Sequence, residues 1–129
     1  MLRIDYGEEI MENLLAVCEK EGILLGQVSA IGAADHAAIG VYDLQTQSYH
    51  REDLDGFMEI SSLAGSVTAM NGKPYLHLHA NFGRRDYTVI GGHLLSCVLN
   101  GACELVVKRF HCELGRRFEP SLGLNLYDF

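Results

Sequence analysis

Residues 75–82 are the segment whose pattern most restricts how this chain can fold. Side chains alternate along a β-strand, so residues two apart lie on the same face. One face of this segment is wholly apolar, and the other carries Tyr75, His77, His79 and Asn81. The preceding Asn71-Gly72 pair is typical of a tight hairpin turn, because both residue types tolerate a positive φ. The pattern predicts a half-buried antiparallel strand.

Further strands are predicted on both sides of this one. They cover residues 23–31, 39–42, 57–70, 87–90 and 104–110, and the third of these is either one long strand or two strands broken at Gly65. A short Gly-Ala passage at 32–34 separates the first two, and residues 83–86 form a turn. The leucines of residues 120–129 alternate, which indicates a terminal strand or a segment that packs on a neighbouring subunit.

One amphipathic helix is predicted from about Glu8 to Lys20. Its apolar residues at positions 10, 14, 17 and 18 form a single stripe. Glu8 and Glu9 suit the positive end of the helix dipole, and Gly22 suits a C-terminal cap. With this helix, shorter helical segments and a mostly antiparallel sheet, the expected fold class is α+β.

Composition limits the class of protein. The 129 residues suit one domain, 1–129, without a linker. The net charge of −7 opposes nucleic-acid binding, and the basic pairs at 84–85, 108–109 and 116–117 are interpreted as solvated. No apolar run reaches about 18 residues and no signal-peptide pattern is present, so we expect no membrane partner and a cytoplasmic location. None of the four cysteines forms a C-x-x-C pair, so a thiolate zinc site is not expected.

Three histidines form the candidate metal site. His77 and His79 share a strand face about 7 Å apart at Cα. His93, in Gly91-Gly92-His93, follows the return strand of the same hairpin. The two glycines allow a bend or a close approach of the backbone, so the third imidazole could join the first two. Three histidine ligands with an open fourth position are typical of catalytic zinc. The alternative interpretation is an ordinary solvated polar face.

Two acidic residues have open roles. Glu59 could orient a ligand histidine, act as a base or protect a strand edge from pairing, and Glu104 is less informative. Cys97 follows His93 by four residues, so the two could form a Cys–His nucleophile pair on a helix. The sequence contains no nucleophile elbow, phosphate loop or dinucleotide fingerprint, and it does not identify a small-molecule ligand.

The chain resembles the plants-and-prokaryotes conserved (PPC or PCC) domain in its bacterial or archaeal single-domain form, and the resemblance includes the three histidines. The similarity covers Arg3, Gly7-Glu8 and residues 31–33, 59–66, 72–79 and 91–94. It implies an α+β domain that assembles as a homotrimer. It also implies a metal ion, usually zinc, at His77, His79 and His93.

The resemblance gives a less direct indication of function. Family members are described as DNA-binding-like, because plant relatives carry the domain behind an AT-hook. This sequence has no Arg-Gly-Arg-Pro segment, and residues 56–61 lack the arginine of the plant Gly-Arg-Phe-Glu-Ile-Leu stretch. Three functions remain open: a zinc-binding homotrimeric regulatory or assembly module, with DNA as a weakly supported partner; a small zinc-dependent hydrolase or hydratase that uses a water held at the three histidines, with Glu59 as proton shuttle; and a structural trimer with incidental histidines.

Overall fold

The computed structural model describes residues 1–129. Its elements in chain order are β1 (Leu2–Ile4), α1 (Ile10–Glu21), β2 (Gly26–Asp43), β3 (Ser48–Met70), β4 (Lys73–Gly83), β5 (Val89–Arg109), β6 (Gly115–Glu119) and β7 (Leu124–Asp128). Strands take 67% of the residues and the single helix 9%. The predicted α+β class with shorter helical segments is therefore wrong, and the fold is β-rich.

The observed strands are longer than the predicted ones because they continue through glycine-containing passages. The passage at 32–34 was expected to separate two strands, but β2 runs through it with register shifts on either side. A Cβ on Gly32 would lie 2.6 Å from the Ala102 carbonyl oxygen and 2.8 Å from the Cys103 Cα. This glycine therefore marks a close approach of β2 and β5 rather than a loop. Residues 91–103, which no predicted strand covers, likewise lie within β5.

The four long strands form a ring of pairing. β2 pairs with β3, β3 with β4, β4 with β5, and β5 pairs back with β2, always antiparallel. β1 lies beside β5, and the β6–β7 hairpin adjoins β3. β3 is unbroken through Gly65, and the predicted turn at Asn71-Gly72 is confirmed by φ values of 53° and 74°. The terminal strand predicted within residues 120–129 is β7.

The helix is confirmed, with a shift of its ends to Ile10–Glu21. One carboxylate oxygen of the N-cap Glu9 accepts a hydrogen bond from the Glu12 backbone N–H at 2.7 Å, and the other accepts from the Cys97 backbone N–H at 2.7 Å. The capping bond stabilises the helix by about 1 kcal/mol, and the second bond ties the helix to β5. Gly22, at φ 60°, is the predicted C-cap.

The core lies between the helix and the inward faces of the ring strands. The predicted apolar face of β4 is buried there, with Leu78 and Phe82 fully inaccessible and Ala80 1% exposed. The opposite face of β4 points away from the core, and His79 and Asn81 are exposed. The single helix has twelve residues and is too short to cross a membrane.

Candidate metal centre

The β4–β5 hairpin positions the three histidines. His77 and His79 lie on β4, and His93 lies on β5 directly opposite His79 in the register. His93 therefore reaches the pair by cross-strand pairing and not by a bend of the chain. Gly91 and Gly92 provide the close approach, since a Cβ would lie 2.6 Å from the Ala80 carbonyl oxygen at the first and 2.8 Å from the Gly40 carbonyl oxygen at the second.

The three imidazoles form a compact cluster. The ring centroids lie 5.3 Å apart for His77 and His79, 5.1 Å for His77 and His93, and 5.4 Å for His79 and His93. One ring nitrogen from each residue can be chosen so that all three lie within 4.8 Å of one another. The structure thus brings together the three residues that the sequence pattern singled out. Imidazole nitrogen is a common ligand of zinc, copper, iron and nickel.

The electrostatics of the cluster favour the neutral form of His77 and His93. Burial, together with the nearby His77 and His79, lowers the pKa of His93 to about 4. Burial, followed by the positive charge of Arg116 and by His79, also lowers the pKa of His77. Protonation of these two rings is therefore disfavoured at neutral pH, and their nitrogen lone pairs are free to act as ligands.

His93 carries a polar atom that the protein does not satisfy. Its Nδ1 is buried and has no hydrogen-bond partner. Leaving a buried polar group without a partner costs about 1–3 kcal/mol, so such atoms call for an explanation. A cation bound among the three rings, with Nδ1 as a ligand atom, would give this nitrogen a partner.

Tyr49 supports the ring of His93, and sequence reasoning missed it. The two rings stack with centroids 4.8 Å apart and planes inclined by 26°. Tyr49 lies on β3 in a part of the strand that the sequence pattern did not predict. The Tyr49 ring packs directly over Gly40 of β2, where an added Cβ would lie only 2.8 Å from the ring.

Arg116 is the second residue that sequence reasoning missed, since the 116–117 pair was interpreted as solvated. It lies on β6 and is half-buried. Its Nε donates to the Thr68 hydroxyl oxygen at 2.7 Å, and its Nη1 donates to the Asn125 carbonyl oxygen at 2.6 Å. Its Nη2 lies 3.5 Å from His77 Nδ1. A cationic side chain therefore adjoins the histidine cluster.

Neither candidate acid lies with the histidines. Glu59 pairs with Gly83 in the β3–β4 register, whereas His79 pairs with Ala64. Five residues along a strand correspond to about 16 Å. Glu59 and Glu104 instead line a separate open cleft of about 420 Å³. Glu104, expected at the start of a strand, lies within β5.

The remaining histidines and the thiols lie outside the cluster. His36 Nδ1 contacts Asp55 at 2.8 Å, and His50 Nε2 contacts Asp43 at 3.3 Å. Cys97 lies on a strand and not on a helix, and burial, with Glu9 nearby, raises the pKa of its thiol to about 12. A thiol that stays protonated at neutral pH is a poor nucleophile, so a Cys97–His93 nucleophile pair is not supported.

Comparison with known proteins places this geometry in a family. The family model of the Plants and Prokaryotes Conserved (PCC) domain matches residues 1–111. A solved structure from Bacteroides thetaiotaomicron, provisionally described as a DNA-binding protein, is 41% identical, with a TM-score of 0.96 over 98% of this chain and 89% of that one. A metal-containing protein from Archaeoglobus fulgidus is 37% identical, with a TM-score of 0.92 over 99% and 91%.

A third solved structure, a plant- and prokaryote-conserved protein from Pyrococcus horikoshii, is 28% identical, with a TM-score of 0.91 over 99% of this chain and 89% of that one. No curated protein matches the chain. The family match spans most of the chain, and the solved relatives share the fold over nearly its whole length. This chain therefore belongs to the Plants and Prokaryotes Conserved domain family.

Proposed function

We propose that this protein is a metal-binding, homotrimeric PCC-domain module that binds zinc through His77, His79 and His93. The observation that carries the proposal is the cluster of three imidazoles, of which His93 has a buried nitrogen without a partner. Three imidazole nitrogen donors within 4.8 Å of one another fit a small divalent cation. The metal-containing relative from Archaeoglobus fulgidus, 37% identical, supports the same conclusion.

The chain's own residues prepare the site. Gly91 and Gly92 let β5 approach β4 and β2, and the cross-strand register sets His93 opposite His79. Tyr49 holds the His93 ring by stacking. When bound, zinc at three histidines supplies a Lewis-acid centre with an open coordination position.

Self-association is supported by an uncovered face of the sheet. Ile31 on β2 is 56% exposed and Val106 on β5 is 40% exposed. Val106 is the register partner of Ser29, and Glu104 is that of Ile31, so these side chains share one face. A second copy of the chain would cover these two exposed apolar side chains. Light scattering coupled to size-exclusion chromatography should give three times the 14.3 kDa chain mass, and a monomer mass would contradict this part of the proposal.

A regulatory or assembly role is favoured over direct DNA binding. Relatives from Bacteroides thetaiotaomicron and Ralstonia eutropha are provisionally described as DNA-binding proteins. This chain, however, carries a net charge of −7, which repels a polyanion. Titration with an AT-rich duplex at several salt concentrations measures the DNA affinity directly. We expect no binding at physiological salt, and tight sequence-dependent binding there would contradict this view.

Metal analysis of the untagged protein, purified without added ions, tests the proposal. We expect about one zinc per chain in the wild-type protein and in His36→Ala, a control that removes a surface histidine paired with Asp55. His79→Ala should lose most of the metal, because the exposed His79 contributes one of three ligands and packs little against the core. Wild-type protein without metal, or full metal content in His79→Ala, would overturn the proposal.

A small zinc-dependent hydrolase or hydratase is the alternative. The exposure of His79 favours it, because solvent and small molecules can reach the cluster from that side. The position of Glu59, about 16 Å along β3 from the register partner of His79, weighs against that acid as proton shuttle within one chain. Turnover of a small ester or anhydride that disappears in His79→Ala would favour the enzyme. The binding module predicts no turnover in either protein.

A further inference from the structure

Arg116 is a half-buried cation without an acidic partner. None of the ion pairs of the protein includes it. The next residue, Arg117, pairs with both Glu119 and Asp128 at 3.4 Å. Side chains alternate along a strand, so these acids lie on the other face of the β6–β7 hairpin. The sequence therefore neutralises one arginine of the pair and leaves the other unpaired beside the histidines.

Neutral groups hold the guanidinium of Arg116 in place. Besides the bonds to Thr68 and Asn125, its central carbon lies 4.9 Å from the ring centroid of Tyr75 and 4.5 Å from that of Tyr127. Thr68 is fully buried. A guanidinium has five N–H donors, and these contacts occupy only two of them. A third donor, on Nη2, faces His77 Nδ1 at 3.5 Å. The other two, one on Nη1 and one on Nη2, are fixed in direction and have no acceptor in the protein.

The contact with His77 places Arg116 beside a potential ligand atom. A neutral imidazole has one N–H and one lone pair, and the nitrogen that faces an N–H donor is the one with the lone pair. Arg116 Nη2 lies 3.5 Å from His77 Nδ1. If Nδ1 ligates the ion, this long contact is given up and the Nη2 donor becomes available next to the coordination sphere.

Charge balance indicates what the free donors bind. A divalent ion on three neutral histidines, with Arg116 beside it, brings three positive charges together. No Asp or Glu belongs to the cluster, and the candidate acid Glu59 lies about 16 Å along β3 from the register partner of His79. Zinc-bound histidines are commonly supported by carboxylates, which are missing here. An anion from outside the chain would supply the compensating charge.

We propose that Arg116 is a ligand-binding residue, and that it binds a small carboxylate together with the ion held by His77, His79 and His93. A guanidinium presents its N–H donors in fixed directions, and its charge-assisted hydrogen bond to a carboxylate is roughly twice as strong as a neutral one. One carboxylate oxygen would accept hydrogen bonds from Arg116 while the other occupies the open coordination position. This inference rests on the proposed metal site and names the class of ligand that the site takes.

Acetate titration of the cobalt(II)-substituted protein tests the inference, because the visible spectrum of cobalt reports a change of ligands and requires no catalytic activity. We expect acetate to change the spectrum of the wild-type protein. Arg116→Gln should weaken acetate binding at least tenfold while it keeps one cobalt per chain. Arg117→Gln is the matched control from the opposite face and should bind acetate as the wild type does.

Each other outcome has a defined meaning. Equal acetate affinity in wild type and Arg116→Gln overturns the inference but leaves the metal site intact. Loss of cobalt from Arg116→Gln makes Arg116 a support for the site and also overturns the inference. If the wild type binds no metal, both the proposed function and the inference fail. Should Arg116→Gln not fold, Arg116→Lys keeps the charge without the planar fork, and we expect it to bind acetate about threefold or more weakly.

Discussion

The imidazole of His93 stacks on the ring of Tyr49, with centroids 4.8 Å apart. Tyr49 meets Tyr42 edge to face at 5.0 Å, and the Tyr42 hydroxyl donates to the Leu122 carbonyl oxygen at 2.7 Å. This series of contacts joins the histidine cluster to the loop between β6 and β7. The orientation of one proposed ligand therefore depends on the position of the C-terminal hairpin.

Tyr49→Ala should lower the affinity for zinc. The His93 ring loses its stacking partner, and loss of groups that orient a ligand typically weakens metal binding by about 10–100-fold. Competition with a chromogenic chelator measures the change. Tyr49→Phe keeps the stack and should bind zinc as the wild type does. An unchanged affinity in Tyr49→Ala would show that the stack does not orient His93.

Gly92→Ala should destabilise the fold. The added Cβ would lie 2.8 Å from the Gly40 carbonyl oxygen, which belongs to the backbone of β2 and cannot move without disturbing the sheet. We expect the free energy of unfolding in urea to fall by about 1–3 kcal/mol. Gly83→Ala is the matched control, because its Cβ would meet nothing closer than 3.8 Å. Equal losses in both variants would contradict the close approach.

The metal-free protein should lose stability as the pH falls from about 6.5 to about 4. Burial, with His77 and His79 nearby, lowers the pKa of folded His93 to about 4, whereas an unfolded histidine titrates near 6.5. Between these values the unfolded chain binds a proton that the folded chain does not, so the free energy of unfolding decreases with decreasing pH. Urea denaturation at several pH values measures this slope.

Two variants check the origin of that slope. His93→Gln should reduce it, because one of the two histidines with a lowered pKa is gone. His36→Gln should not, because a hydrogen bond to Asp55 raises the pKa of His36 and gives its contribution the opposite sign. A slope that persists unchanged in His93→Gln would assign the effect to other groups.

One thiol of four should react rapidly with Ellman's reagent in the native protein. Cys112 is exposed, whereas the other three are buried. Burial raises the pKa of Cys18 and Cys103 to about 11 and that of Cys97 to about 12, so their reactive thiolate forms are scarce at pH 8. Cys112→Ser should remove the rapid phase, and all four should react in denaturant. More than one rapid thiol would contradict the burial.

Local patterns in the sequence predict β4 and the helix well. The alternation of residues 75–82 follows the two-residue period of a strand, and the apolar stripe between Ile10 and Cys18 follows the period of a helix. Both patterns depend only on residues that are close in the sequence. The continuity of β2 and β5 is different. The passage at Gly32 indicates a break when it is considered locally, and Gly92 is compatible with either a bend or a close approach. Each of these glycines permits contact with a strand distant in the sequence. These long-range contacts cannot be inferred from the residues that neighbour each glycine in the sequence.

The residues of the histidine site also differ in whether local sequence patterns predict them. His77, His79 and His93 belong to one hairpin, so their proximity follows from the strand pattern and the turn between them. Tyr49 and Arg116 reach the cluster only through longer-range pairing, such as that of Ala69 on β3 with Gly115 on β6. No spacing rule in the sequence indicates either neighbour.

The ring of strands closes through its first and last members. β2–β3, β3–β4 and β4–β5 are hairpins between neighbours in the chain, whereas β2–β5 joins Gly26 to Arg109. Forming so long a loop costs chain entropy before its contacts repay it, and such topologies fold slowly. We therefore expect the β2–β5 closure to limit the refolding rate. The hairpin that bears the three imidazoles can form earlier, independently of that slow step.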